Sequence, residues 1–371
     1  MLSKNDEASY SNFVENSKSS SVQTNLDWRN LVHELDGDIP YFLVAKQNRD
    51  IVGVLPLYFS KNKFGNILTS SVWHTISGIL CSVEGRELER VYKKLLDYSV
   101  SLAKELDCVL LSIGGNPFVD DKSLYLNNLQ PDYVLENFVQ YICLSEIYDE
   151  MGKLVHPNYV RRTNLSKNLA KLSQLKVSIS EVQSQQFVDQ AFALQEKRLK
   201  ELGGRPFPKE FLDSVLKNIT LKDQGRFLFA FHEEKMISTC LFLSNKHRMD
   251  AFMMCMDSDF SHLRPNFALT KYMLDWAQKR TIPIFHWMSS SRNDDGVYRF
   301  KEQWGSHEGT FLYLTKILGD ISSWRKMSFA QLNEAYEFHY LLPFNLLCDS
   351  QAKFTTKNDL TEFMASFKSK S

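Results

Sequence analysis

None of the six cysteines in this 371-residue chain forms a CxxC pair. Cys81, Cys108, Cys143, Cys240, Cys255 and Cys348 are scattered, several of them in apolar runs such as "AFMMCM", where cysteine behaves as a small buried hydrophobe. That argues against a disulfide framework or a zinc ribbon and fits a reducing compartment. The nine histidines lack metal-ligand spacing, so no metal is expected. Net charge is lacking too. Basic and acidic residues number 44 each, which removes a polyanion-coating protein and DNA from the expected partners. No segment approaches the ~18 apolar residues of a membrane span, and "MLSKNDEASYSNFVENSK" is not a signal pattern. A cytoplasmic protein is expected, with peripheral attachment at the inner face of the membrane left open.

Familiar catalytic motifs are also missing. The chain contains no GxxxxGK[ST], HExxH or GxSxG, which removes support for P-loop hydrolysis, thermolysin-type zinc chemistry and the serine-hydrolase elbow. "GSHEG" (305–309) brings Ser, His and Glu together, but three sequence neighbours do not converge as a triad, so it reads as a turn. "SIGGN" (112–116) reads the same way.

What is present is a length that exceeds one core, and a faint repeat. "YFLVAKQNRDIVGVLPLYF" (41–59) and "RFLFAFHEEKMISTCLFLS" (226–244) each read as strand, polar turn, strand. "LLDYSVSLAKELDCVLLSI" (95–113) and "YMLDWAQKRTIPIFHWM" (272–288) each read as helix, then buried strand. The expected fold class is α/β with mixed sheets, built twice. Residues 9–146 form the first domain, 147–322 the second, and 323–371 a helical extension.

From Met151 to Ser180 acidic residues are absent, while Lys153, Arg161, Arg162, Lys167, Lys171 and Lys176 are present. "HPNYVRRTNLSKNLAKLSQL" predicts one helix with Pro157 in its first turn. Leu165, Leu169 and Leu172 make its apolar stripe, and Lys167 and Lys171 fall opposite, as a solvated face. Arg161 and Arg162 flank the stripe, where a guanidinium can grip phosphate or carboxylate bidentately. A solvated position is the competing reading for both.

The densest signal is "GVYRFKEQWGSHEGTFLY" (296–313), where cations alternate with aromatics. On a helix, Phe300 and Trp304 pair at i, i+4 as the buried side, and their packing fixes the Lys301 stem. The bland alternative is a snorkelling lysine. The stretch resembles the C-terminal signature of FemAB-like proteins, the GNAT-like acyltransferase branch that includes peptidoglycan-branching aminoacyltransferases and BioF-like relatives. "YSNFVENSKSSSVQTNLDW", "YVRRTNLSKNLAKL" and "RPNFALTKYMLDWAQKRTIPIFHW" resemble further segments of that family in order, covering about residues 9–316.

The resemblance implies two tandem GNAT-like domains and N-acyl transfer to an amine of a nucleotide- or lipid-linked cell-envelope glycan precursor, as in polysaccharide biosynthesis. Its co-substrate would be acyl-CoA. The alternatives are an aminoacyl-tRNA-dependent transferase, which the missing coiled-coil arm and neutral charge disfavour, and a non-catalytic sugar-nucleotide-binding relative. Lys301 would stabilise the acyl oxyanion. Arg161, Arg162, Tyr298, Arg299, Phe300, Trp304 and Asn266 would bind substrate. Two departures stand out. "FHWM" places His286 where relatives often carry Asp, as a possible proton acceptor, and the Gly-rich pyrophosphate loop of ordinary GNAT enzymes is missing.

Overall fold

A computed structural model of the chain describes residues 1–73, 76, 78–289 and 295–339. The elements run α1 (Glu7–Asn16), α2 (Leu26–Asp36), β1 (Ile39–Gln47), β2 (Asp50–Ser60), β3 (Asn66–Thr69) and β4 (Leu80–Cys81). Then come α3 (Gly85–Glu105), β5 (Cys108–Gly114), α4 (Lys122–Leu129), β6 (Tyr133–Cys143), α5 (Leu144–Ile147), α6 (Pro157–Val160) and α7 (Asn164–Lys171). Next are β7 (Val177–Ser180), α8 (Gln185–Glu201), α9 (Lys209–Asn218), β8 (Gly225–His232), β9 (Lys235–Ser244) and β10 (Arg248–Met256). The last are α10 (Pro265–Lys279), β11 (Ile284–Ser289), α11 (Asp295–Glu302), β12 (His307–Ile317) and α12 (Phe329–Ala335).

Two compact units result, and their boundary falls inside β6, between Phe138 and Val139, rather than at residue 146. Residues 309–339 belong to the first unit. The reason is strand pairing: β12 lies antiparallel to β5, from Tyr313 opposite Gly114 to Ile317 opposite Leu110. The expected separate extension therefore docks on the first unit as far as it is described. Trp324 Nε1 donates to the Phe64 carbonyl at 2.5 Å and the Tyr336 hydroxyl to that of Gly65 at 2.8 Å. Pro343 and the rest of the expected tail lie outside the described residues.

In the first unit the strand order is β1-β2-β3-β5-β12. β1 and β2 form a hairpin turned at Asn48 (φ 58°), and β3 and β5 run parallel with α3 between them in sequence. Helix α3 buries Tyr92, Leu96, Ser99 and Ala103 beside Val91, Leu95 and Leu102, a stripe at helical period. Each large aliphatic there is worth roughly 1.5–3 kcal/mol of burial. The helix crosses β2 at Gly53, where an added Cβ would come within 2.5 Å of Val91 Cγ1, so a side chain does not fit.

The second unit orders β6-β11-β10-β9-β8-β7. Its hairpin β8-β9 turns at Glu233 (φ 54°), and β10 and β11 run parallel with α10 between them in sequence. Hairpin, helix and parallel strand thus recur, as the repeat in the sequence implies. β9 is buried almost throughout, so it reads as a continuous apolar run rather than an alternating one. Phe242, Trp276, Phe285 and Trp304 are central to this core.

One predicted helix is two. The segment from His156 to Gln174 breaks after Val160, with Arg161 extended at ψ 166°. Thr163 restarts it: its hydroxyl accepts from the Ser166 N–H, and the Ser166 hydroxyl accepts from the Thr163 N–H. That reciprocal cap satisfies amide groups a fresh helix end leaves bare.

Candidate active site

The parallel strands β10 and β11 pair at three positions, Arg248 with Ile284, Met249 with Phe285 and Asp250 with His286. Past Asp250, β10 bulges between Ala251 and Met253 and stays with β9. Past His286, β11 bulges toward Ser289, which pairs with Val139 of β6, and Met288 adopts φ 61°. The two strands therefore part company at their carboxyl ends, where open α/β sheets receive ligands.

A charged cluster sits where they part. Arg248, Asp250 and His286 are buried, His286 completely. Asp250 Oδ1 lies 2.7 Å from both Arg248 Nε and His286 Nδ1. Burial alone would raise the Asp250 carboxyl, but the Arg248 charge and the hydrogen bonds outweigh it and hold it below the ordinary range. Burial pushes His286 the other way for a base, downward, against the pull of Asp250, with Arg248 and Lys301 adding to the depression. His286 is thus a neutral imidazole whose Nδ1–H donates to Asp250. Its bond to Asp250 joins β11 to β10.

A base held neutral contributes stability that is complete above its free value of 6.5 and declines as pH falls toward its lower folded value. The urea midpoint is expected to fall between pH 7 and 5, and the fall to be shallower in His286→Gln. Equal slopes in the two proteins would refute the assignment. The comparison also cancels Asp121, whose effect is opposite. Burial pushes that carboxyl up to about 6, partly countered by the Tyr92 hydroxyl bond, so its contribution is lost as pH rises through that value.

Lys301 comes from α11 and is 9 % exposed. Its Nζ donates to the carbonyls of Trp287 (3.2 Å) and Ser289 (3.4 Å), on either side of the left-handed Met288. The aromatics hold it there. Trp304 is fully buried, with Phe300, Phe267 and Tyr159 around it at ring separations of 5.9–6.1 Å. The Tyr159 hydroxyl donates to the Trp304 carbonyl at 2.8 Å. Trp287 Nε1 donates to the Ser306 hydroxyl, which donates to the Lys301 carbonyl, both at 2.7 Å. Gly305 (φ 82°) turns the chain against the His156 ring, where a Cβ would sit 3.3 Å away. Ser306 of "GSHEG" serves this turn, while His307 meets Glu146 and Glu308 accepts from Tyr298, so the three neighbours face different partners.

Beside α11 lies a groove of about 580 Å³ lined by Asn158, Asn164, Arg299, Phe300 and Gln303 among others. A second, of about 740 Å³, shares Asn164 and Gln303 and adds Lys167, Lys171, His262 and Arg264. Of the residues expected to bind substrate, Arg299 and Phe300 line the first groove. The Tyr298 hydroxyl donates to Glu308 at 2.6 Å, and Trp304 is core. Asn266 Oδ1 accepts from the Ser238 hydroxyl at 2.9 Å, a structural bond. Arg161 and Arg162 are exposed in the break between α6 and α7 and line neither groove. Lys167 and Lys171 are exposed, as expected of a solvated face, and line the second groove. The broken helix explains the position of the arginines, which are no longer on a helical surface at all.

Ordinary GNAT enzymes hold a pyrophosphate with Gly-rich loop amides. Here α10 starts at Pro265, which has no N–H, and the Phe267 and Ala268 amides donate to the Arg264 carbonyl at 3.0 and 3.4 Å. Lys167, Lys171 and Arg264 line the second groove nearby. Arg248 and Asp250 escaped the sequence reading, although two charges inside the strand-like run "RMDAFMMCM" were a usable signal.

Residues 160–302 match the family described as acetyltransferase (GNAT) domain. No curated protein sequence matches the chain. Among solved structures, FemX is 12% identical with a TM-score of 0.67, over 85% of this chain and 96% of that one. The C-terminal domain of a putative lysylphosphatidylglycerol synthetase from Agrobacterium fabrum is 12% identical with a TM-score of 0.53, over 84% and 92%. A conserved protein of unknown function from Bacteroides thetaiotaomicron is 9% identical, also at 0.53, over 85% and 98%. Among the described residues no helix is long and apolar enough to cross a membrane. Residues 160–302, which include the buried Lys301 of the FKxxWG segment, thus match an acetyltransferase (GNAT) domain, and the chain shares its fold with FemX.

Proposed function

We propose that the protein moves an acyl group from a phosphate-bearing activated donor, acyl-CoA, to an amine of a nucleotide- or lipid-linked cell-envelope glycan precursor. The observation that supports this reading is the sheltered Lys301 ammonium at the separated end of β11, with cation-lined grooves beside its helix. The amine nitrogen bonds to the acyl carbon, the bond to the leaving sulfur breaks, and the proton departs with the leaving group. Negative charge grows on the carbonyl oxygen in between, and Lys301 is the preorganised cation that meets it. The donor phosphates lie in the second groove on Lys167, Lys171 and Arg264. His286 keeps β10 and β11 in register and does not touch the amine.

A second reading, with aminoacyl-tRNA as donor, is favoured by one feature. Exposed lysines one helical turn apart suit a phosphodiester backbone as well as a pyrophosphate. Turnover assays with acyl-CoA and with charged tRNA separate the two. With the true donor, Lys167→Glu/Lys171→Glu is expected to raise the donor KM about tenfold, a loss of ~1.4 kcal/mol, with kcat within about twofold. An unchanged donor KM would remove the second groove from the reading. Absence of transfer with either donor would overturn the donor class.

A further inference from the structure

Away from Lys301, three side chains of different chemistry meet. Cys143 ends β6, Glu146 lies three residues on in α5, and His307 opens β12. One ligand atom from each, thiol sulfur, carboxylate oxygen and imidazole nitrogen, lies within 4.8 Å of the others. Glu146 Oε2 is 2.6 Å from His307 Nε2, and the His307 ring rests against Tyr141 with centroids 5.6 Å apart. Cys143 is partly buried, while Glu146 and His307 are about half exposed.

We propose that Cys143, Glu146 and His307 bind a divalent cation of the zinc class. Donor type carries the choice. Two carboxylates and a water would suit magnesium or calcium, whereas one sulfur and one nitrogen with a single carboxylate select zinc or its close neighbours. Dimensions agree. Bond lengths of about 2.0–2.3 Å place the ligands of a tetrahedral zinc roughly 3.3–3.8 Å apart, so an ion needs only small side-chain movements from the observed spacing. Three protein ligands leave a fourth position, which water takes at this exposure. Binding releases the thiol proton and replaces the Glu146–His307 hydrogen bond with two bonds to the metal. The ion would pin the start of β12 to α5. His307 follows Ser306, whose hydroxyl holds the Lys301 carbonyl, so the site braces the turn that ends α11.

The full chain, freed of metal by a chelator and kept reduced, is titrated with zinc by calorimetry and with cobalt(II) by absorbance. The expected result is about one zinc per chain and a near-ultraviolet thiolate-to-cobalt band, both weakened at least tenfold in Cys143→Ser and in His307→Gln. Cys81→Ser, which alters the partly exposed thiol of the first unit, is expected to leave both unchanged. Circular dichroism checks that each variant is folded, and His307→Gln retains the test if Cys143→Ser is not. A missing thiolate band, or zinc binding equal in wild type and both site variants, overturns the proposal.

Discussion

Lys301→Ala is expected to lower kcat about a hundredfold, with the substrate KM values changed less than threefold. A single preorganised oxyanion donor is worth roughly 2.7–4 kcal/mol, and losing one that acts only in the transition state depresses kcat and kcat/KM together. The substitution also strips the Trp287 and Ser289 carbonyls of their ammonium, at about 1–3 kcal/mol for a buried acceptor left without its donor. Thermal unfolding must accompany the kinetics for that reason. Lys301→Met keeps most of the stem volume and removes the charge. If it is as slow as the alanine variant while better packed, the charge is responsible. Near-normal kcat in a folded variant would reduce Lys301 to a clip on the β11 bulge.

Asp250→Ala is expected to destabilise the second unit by about 3–5 kcal/mol, the usual cost of leaving a buried charge without its partner. Arg248 would keep its charge in the core with the Asp250 carboxylate gone. The urea midpoint should drop by more than about 1 M, given slopes of ~1–3 kcal/mol per molar. An apolar replacement of the whole cluster, Arg248→Met/Asp250→Val/His286→Leu, should cost far less, since a buried ion pair repays little more than its own desolvation. That contrast is the sharper test. If the triple variant is as unstable as Asp250→Ala, lost packing explains the effect and the electrostatic account fails. If the triple variant is stable but slow, the cluster serves to hold β10 and β11 at the separation the reaction needs.

Several features were legible because they are local. Alternation and apolar runs placed both hairpins, and helical period placed α3 and α10, since side-chain direction follows backbone period. The i, i+4 pairing of Phe300 and Trp304 announced a buried face beneath Lys301. The break at Arg161 is written as Thr163 and Ser166, while Pro157 in a first turn suggested that the helix carrying the leucine stripe begins earlier than it does. For Arg161 and Arg162 the sequence leaves ligand and solvent both open, and in the structure they are exposed, as are Lys167 and Lys171.

By itself the sequence determined an α/β chain built twice and the aromatic setting of Lys301, because strand and helix periods are properties of neighbouring residues. Only the tertiary structure decided that β12 completes the first unit, that His286 meets Asp250 and Arg248, and that Cys143 and Glu146 meet His307. These contacts join residues as many as 207 positions apart, Leu110 with Ile317 in the pairing of β5 with β12. Register between distant strands sets them, and no local pattern encodes a register whose partner lies two hundred residues away.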